Sequence, residues 1–427
     1  MQRFLRALTI ATAIALAATA CTPEATEEIG SESIVRVFGN HRGADAAAFR
    51  AVLDEFTRQT GIETSYVGTA AFASRIRERV SDGDPPDVAL FPQPAILAEM
   101  ARSGFLAAPG DEVVTAVEQG YADWAIDLAT IDGEIYGPWF RLSVKSLVWY
   151  PPPVFAARGY EVPATWDELE ALTEQMVRDG FTPWCLGMES FGATGWVGTD
   201  WIEDLVLRLH GPAVYDQWVS GEIPFTDERI REAFAEFGEV SLEPGQVAGG
   251  RRAILSVPVL AAIDPMFADP PGCLLTRQAS FQEGNLPEDV KIGPEGDVDV
   301  FVLPSMDADN VPLLASGEIA AALTDSTEAR ALLAYLASPQ SGVPWAAVGG
   351  YNSPHMGFDP AAYGSDFERR LGGLVQSAEV VRFDGSDQML PAVGTGTFWR
   401  GMIDYVSGVP LDRVLSDIQA GYPEDAS

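Results

Sequence analysis

An apolar segment, Ile34 to Phe38, is followed by the loop GNHRGAD and then by Phe49, Val52, Leu53 and Phe56 at helical spacing. After Gly61 a second extended segment runs from Ile62 to Val67. A strand, an amphipathic helix and a strand in that order close most readily as a right-handed βαβ unit. The sheet is therefore expected to be parallel and the class α/β. Asp45 is the expected N-cap of the first helix. The alternation continues with a helix over Phe72–Val80, a buried strand at Val88–Phe91 inside PPDVALFPQP, and a helix over Ile96–Arg102. IDGEIYGPW sets an Asp-Gly pair between short β-prone runs, a hairpin signal. Val144–Tyr150 reads as one strand, ended by the prolines at 151–153. Thr165 and Glu168 form a capping box that starts a helix at 166. Further helices are expected from about Asp200 to Gly211, from about Thr226, over Glu328–Leu336 and over Leu411–Ile418, with a strand at Val298–Leu303. The glycines of AVGTGTFW are read as a loop.

At 427 residues the chain has room for two or three cores. It carries 27 basic and 62 acidic residues, a formal net charge of −35. That balance repels phosphate backbones, so nucleic acid is excluded as a partner. Three histidines and three cysteines leave few soft ligands, and neither a metal site nor another cofactor is expected. A P-loop, a strand-following GxGxxG and a G-x-S-x-G elbow are all absent. A glycoside hydrolase needs only two facing carboxylates, which 62 acids always supply. A secreted hydrolase is therefore the alternative to a binding protein, and an adhesion scaffold is a third class. Lysine occurs only at Lys145 and Lys291.

The N-terminus carries Arg3 and Arg6, then an apolar run from Leu8 to Ala18 and the small residues Ala18, Thr19 and Ala20 before Cys21. This is the pattern of an export signal, too short for a membrane span of about 20 residues. Small residues directly before Cys21 resemble a bacterial lipobox, which implies a lipid-anchored, exported protein with 22–32 as a flexible tether. Cys185 and Cys273 are then left over, as a disulfide pair or as two free buried thiols.

Tryptophans are numerous, ten in all. An indole offers a flat apolar face and one N–H donor, which suits a sugar ring as well as a core.

The lipobox, the opening βαβ, PPDVALFPQP, DGEIYGPWFRLSVKSLVWY and VPATWDELEAL together resemble the bacterial extracellular solute-binding proteins, the capture subunits of ABC sugar importers. FTPWCLGMESFGATGWVGTDWIEDLVLRLHGP, ADPPGCLLTRQASF and AAVGGYNSPH resemble the branch that binds α-glucosides such as trehalose, sucrose and maltose. The segment 238–266 departs from that branch, lacking its aromatic and Asn/Asp-rich run. The resemblance implies a two-lobe periplasmic-binding fold of the maltose-binding type with a hinge and a cleft. Lobe 1 would comprise 33–142 and 299–340, and lobe 2 143–298 and 341–427, after a signal over 1–21. It implies a monomer without catalytic activity that passes sugar to permease subunits, and it places Cys185 and Cys273 at the positions of a family disulfide. Ligand contacts are expected from Gln93, Trp139, Lys145, Glu189, Trp196, Asp200, Trp201, Arg277, Gly350 and Tyr351.

Overall fold

The computed structural model of the chain describes residues 34–423. The expected signal, Cys21 and the tether at 22–32 lie outside those residues. Strands β1 (Val35–Gly39), β2 (Thr64–Gly68) and β3 (Val88–Phe91) pair in parallel around β1, joined first by the helix Gly43–Thr60. Phe49, Val52, Leu53 and Phe56 are among that helix's buried residues, as their spacing predicts. Its N-cap is Arg42, not Asp45. Asp45 lies in the first turn, where its carboxylate accepts a 2.9 Å bond from Arg141 Nη1, so an ion pair takes the carboxylate expected to cap. In the hairpin of β4 (Thr130–Ile131) and β5 (Glu134–Ile135), Asp132 and Gly133 have φ of 54° and 89°. Those are the two positive φ values that a type I′ turn demands.

The stretch expected as one strand is two, β6 (Trp139–Val144) and β7 (Leu147–Tyr150). The break at Lys145–Ser146 sends the chain from one sheet to another. β7 is the centre of a small antiparallel sheet with β8 (Thr276–Arg277) and β9 (Asp299–Val302). β10 (Leu313–Ala322) returns to the first sheet, antiparallel to β3 and β6 and parallel to β11 (Val381–Phe383). That sheet is therefore mixed rather than parallel. β10 arrives from the second sheet without a helical crossover, and only such crossovers impose parallel pairing. Its sequence, LLASGEIAAA, is small-residue rich and lacks the alternation that marks a strand.

Apolar packing separates into two large cores. One gathers Val35–Leu142 with Ile319–Ala346, Tyr351, Phe358, Tyr363 and Phe383. The other gathers Val148–Leu303 with Leu314 and Met389–Ile418. A smaller cluster includes Val144, Leu147, Trp149, Phe367 and the cystine Cys185–Cys273, whose Cα atoms are 5.4 Å apart. The helix expected from Asp200 begins four residues earlier, at Trp196. Gly195 precedes it at φ 116°, where a Cβ would fall 2.3 Å from the Trp399 carbonyl oxygen. Gly211, at φ 78°, kinks that helix before Pro212. AVGTGTFW is not a loop, since Val393–Phe398 is a π-helix. Gly394 presses against the Ser386 carbonyl there, at a distance no side chain would allow.

The cystine closes a segment of 88 residues. Replacing both cysteines by alanine is expected to lower unfolding stability by about 2–4 kcal/mol while preserving the far-UV spectrum, because the unfolded chain regains that loop's freedom. An unchanged urea midpoint would refute this.

Candidate functional site

Among the described residues the chain passes between the two cores three times: at Lys145–Ser146, within β10 after Leu314, and after β11 at Asp384. The helix Trp196–Val219 holds all three crossings. Its Asp200 accepts from Lys145 Nζ at 2.7 Å. Its Asp204 accepts from the Ser146 hydroxyl at 2.7 Å and from Arg208 and Arg277. Arg208 donates to the carbonyls of Leu303, Pro304 and Pro312 at 2.8–3.2 Å, clasping the chain that leads into the second crossing. Glu203 accepts the Gly385 and Ser386 amides at 2.7 and 3.1 Å, clasping the third.

Lys145 also donates to Asp384, which accepts the Ser386 hydroxyl at 2.9 Å and the Asp387 amide at 3.1 Å. One ammonium thus faces Asp200, Glu203, Asp384 and Asp387, and it cannot neutralise them all. Burial opposes charge on Asp384, but Lys145 and those hydrogen bonds outweigh it and hold this carboxyl below its ordinary range. Burial, only partly offset by Lys145, pushes Asp200 up to about 7. Burial and the neighbouring carboxylates drive Glu203 and Asp387 well above the usual values. Burial disfavours the Lys145 ammonium, yet Asp200 and Asp384 overcome this and keep it charged. Carboxylate oxygens of Asp200, Glu203 and Asp384 lie within 4.8 Å of one another, spacing suited to a metal ion. Lys145 Nζ, bonded to two of the three, fills the cation's place.

Above this cluster lies a cavity of about 410 Å³ between the two cores. The first core contributes Asn40, His41, Asp45, Gln93, Arg141 and Glu318; the second contributes Trp196, Val259, Leu260 and Trp399. Phe281 packs 6.0 Å from Trp196, and Lys145 Nζ sits 5.1 Å from the same indole centre. Arg141 lies 4.5 Å over Trp345, which leaves its planar fork oriented. Burial, outweighed by Asp45 and Glu318, leaves Arg141 firmly charged. Burial, only partly countered by Arg141, pushes Glu318 up to about 7. Burial and Arg141 lower His41 well below its ordinary value, so it is neutral. Asn40 Oδ1, His41 Nε2, Gln93 Oε1, Arg141 Nε and Nη2, Glu318 Oε2 and Trp399 Nε1 are buried without a protein hydrogen-bond partner. Buried polar atoms without partners cost about 1–3 kcal/mol each. Donors and acceptors left so in one cavity await a polar ligand.

Residues 41–248 match the model of the bacterial extracellular solute-binding proteins. The osmoprotective compounds-binding protein GgtB of Synechocystis is 45% identical over 392 residues, covering 91% of this chain and 92% of its own. The chain belongs to the bacterial extracellular solute-binding proteins. A second relative, the alpha-glucosides-binding periplasmic protein AglE of Rhizobium meliloti, is 38% identical over 397 residues, with 90% of this chain and 86% of its own covered. Solved structures with the same fold include maltose-bound T. maritima MalE3, at TM-score 0.72 and 15% identity over 91% of this chain and 98% of that one. The solute receptor AcbH gives TM-score 0.75 at 19% identity, over 91% and 97%. The fold is the two-lobe, maltose-binding type.

In this solute-binding protein, Gln93, Lys145 and Trp196 come together in the cavity lining. Asp200 lies behind Lys145, in the second turn of its helix and so not a cap. Trp139 is in the first core, its indole N–H bonded to the Ala125 carbonyl. Trp201 is in the second core, edge-on to Trp184. Arg277 is spent on Asp204. Glu189 accepts the Phe191 amide at 2.8 Å. The Gly350 amide donates to Glu283, and the Tyr351 hydroxyl to the Phe140 carbonyl. Arg141 and Glu318 are the lining residues that sequence reasoning missed. Each is a charge inside an apolar strand, WFRLSV and LLASGEIAAA, a signal that was there to read.

Two outcomes follow from the buried charges. Lys145→Met strands the carboxylates and is expected to destabilise the protein by about 3–5 kcal/mol. The loss should be larger at alkaline than at mildly acidic pH, where the carboxyls can protonate; equal losses would contradict the assignment. Glu318, Asp200 and Glu368 have folded pKa values raised to about 7, 7 and 8, in each case chiefly by burial. Their stabilisation is complete below the unfolded values near 4 and is lost as pH rises through 7 and 8. The lowered carboxyls, Asp384, Asp204 and Asp227, act in the opposite sense only as pH falls below about 4, and His41 opposes the trend below about 6.5, where the unfolded imidazole takes up a proton. The ligand-free thermal midpoint should therefore fall from about pH 6.5 to about pH 8, and Glu318→Gln should flatten that slope. A midpoint that rises over this range would refute the assignment.

Proposed function

We propose that this chain is the substrate-binding component of an ABC importer, that it captures a small α-glucoside between its lobes without chemical turnover, and that it hands the sugar to a permease. The observation that carries this reading is the gathering, in the lining of one cavity, of side chains with unpartnered polar atoms, Asn40, His41, Gln93, Arg141 and Glu318 from the first lobe and Trp399 from the second. Hydroxyls both donate and accept, so a polyol answers Arg141 N–H groups and the Glu318 and Gln93 oxygens together. Trp196 and Trp399 offer indole surface beside them for the apolar face of a pyranose. The lining also carries basic and acidic side chains in equal number, Arg42, Arg77, Arg141 and Lys145 against Asp45, Glu318, Asp384 and Asp387. Arg77 is already paired with Glu99, Arg141 with Asp45, and Lys145 with Asp200 and Asp384, which favours an uncharged ligand over a sugar phosphate or an amine. The relatives named for osmoprotective compounds and for alpha-glucosides support the same choice.

Ligand touching both lobes stabilises only the closed arrangement, so binding shifts the population toward it. The lobe boundaries are taken to follow the three crossings. The sequence further motivates an exported protein tethered to the membrane face by lipid on Cys21. Its sugar site would then face the permease mouth.

Thermal unfolding against trehalose, sucrose, maltose and simpler glucosides tests the reading. A true ligand at one hundred times its dissociation constant adds about 2.7 kcal/mol to stability. Arg141→Leu and Trp196→Ala should each remove about half of that gain or more, a tenfold or greater loss of affinity for about 1.4 kcal/mol or more of lost contact. No shift with any carbohydrate would refute the sugar reading, and turnover of a glucoside would replace it with hydrolysis.

A further inference from the structure

Phe191 is the most exposed large apolar side chain among the described residues, at 73%. It sits on the short 3₁₀ turn Phe191–Ala193, on the second lobe's side of the cavity, and its φ is 53°. A bulky residue in the left-handed region costs free energy, and such outliers persist where surrounding bonds enforce them. The bonds are present. The Phe191 amide donates to Glu189 Oε1 at 2.8 Å, and its carbonyl accepts from the Thr194 hydroxyl at 2.8 Å. Thr194 Oγ1 also accepts the Ser190 amide at 3.0 Å. The turn is thus fastened in a shape that holds a phenyl ring out into solvent. Ser190, Gly192 and Ala193, on either side of it, line the cavity, whereas Phe191 does not.

What faces the ring comes from the other lobe. Arg42, the residue before the first helix, carries its guanidinium carbon 6.0 Å from the Phe191 ring centre. Arg42 itself lines the cavity, is exposed, and has no carboxylate within ion-pair distance among the described residues. An arginine with no anion beside it, set over an aromatic face, makes a cation–π contact. This contact joins the two lobes at the cavity's mouth.

We propose that Arg42 and Phe191 form a latch across the cleft mouth that sets how long a captured solute stays, separately from the groups that recognise it. The proposal rests on the capture reading above. Because Phe191 lies outside the cavity lining, loss of its contact with Arg42 acts on escape rather than on selectivity.

The test uses Phe191→Ala, Arg42→Gln, the double variant and the conservative Arg42→Lys. With the sugar that gives the largest thermal shift, stopped-flow indole fluorescence reads binding and release. Each single variant is expected to speed release about two- to fivefold, what an exposed cation–π contact supplies, with little change in association rate or in the ranking of sugars. The double variant should be no faster than the singles, and Arg42→Lys should restore most of the wild-type rate. Unchanged release in wild-type-like binders, or additive single effects, would overturn the latch while leaving the sugar reading intact. If no carbohydrate binds, the sugar reading fails, and the latch is judged on the ligand-free protein by a double-mutant cycle in urea unfolding. A non-zero coupling between positions 42 and 191 supports the contact across the cleft, and strict additivity overturns it.

Discussion

One ammonium against four buried carboxylates is the arrangement on which the rest of this structure depends. Lys145 stands where the chain first leaves one sheet for the other, and its two partners, Asp200 and Asp384, come from the long second-lobe helix and from the third crossing. A buried ion pair of this kind contributes little net stability compared with apolar packing, because desolvation consumes the Coulombic gain. Its value lies in what it forbids. Any arrangement that parts Lys145 from these acids leaves charges buried and uncompensated, so the three crossings have only one register that satisfies them. The same ammonium and Asp384 form part of the cavity lining, which makes the joint between lobes continuous with the site.

That continuity explains how capture can be read at a distance. On the proposed reading, a solute held by Arg141 and Glu318 on one side and the tryptophans on the other would bridge two bodies whose relative position is set by the crossings beneath it. Closing then requires no rearrangement within either core. The crossings, clasped by backbone-directed bonds from Arg208 and Glu203, are where the proposed closure would place its hinge while both cores stay packed. Recognition, the proposed hinge and the proposed mouth latch occupy three levels of the same cleft, with Lys145 and Asp384 shared between the first two.

The acidic surface fits this division. A net charge of −35 keeps the molecule soluble and repelled by other polyanions, yet most bases of the cavity lining are already paired with protein carboxylates. The protein's overall field therefore says nothing about what it binds. The local pairing does.

Local pattern by itself determined the class, the opening βαβ unit, the Asp132–Gly133 hairpin and the Thr165–Glu168 capping box, because each depends on residues near one another along the chain. Motifs spread along the chain determined the family, since their order survives wherever the fold does. The cystine was open on residue grounds and settled only when Cys185 and Cys273 met in space. Tertiary structure alone decided that β10 runs antiparallel, that Val144–Tyr150 breaks at Lys145, and that Trp139, Trp201 and Tyr351 serve the cores while Arg141 and Glu318 face the cavity. Side chains of the same type pack or bind according to which surface the crossings turn them toward. That choice is made by contacts between residues hundreds of positions apart, such as Lys145 with Asp384, which no local pattern encodes.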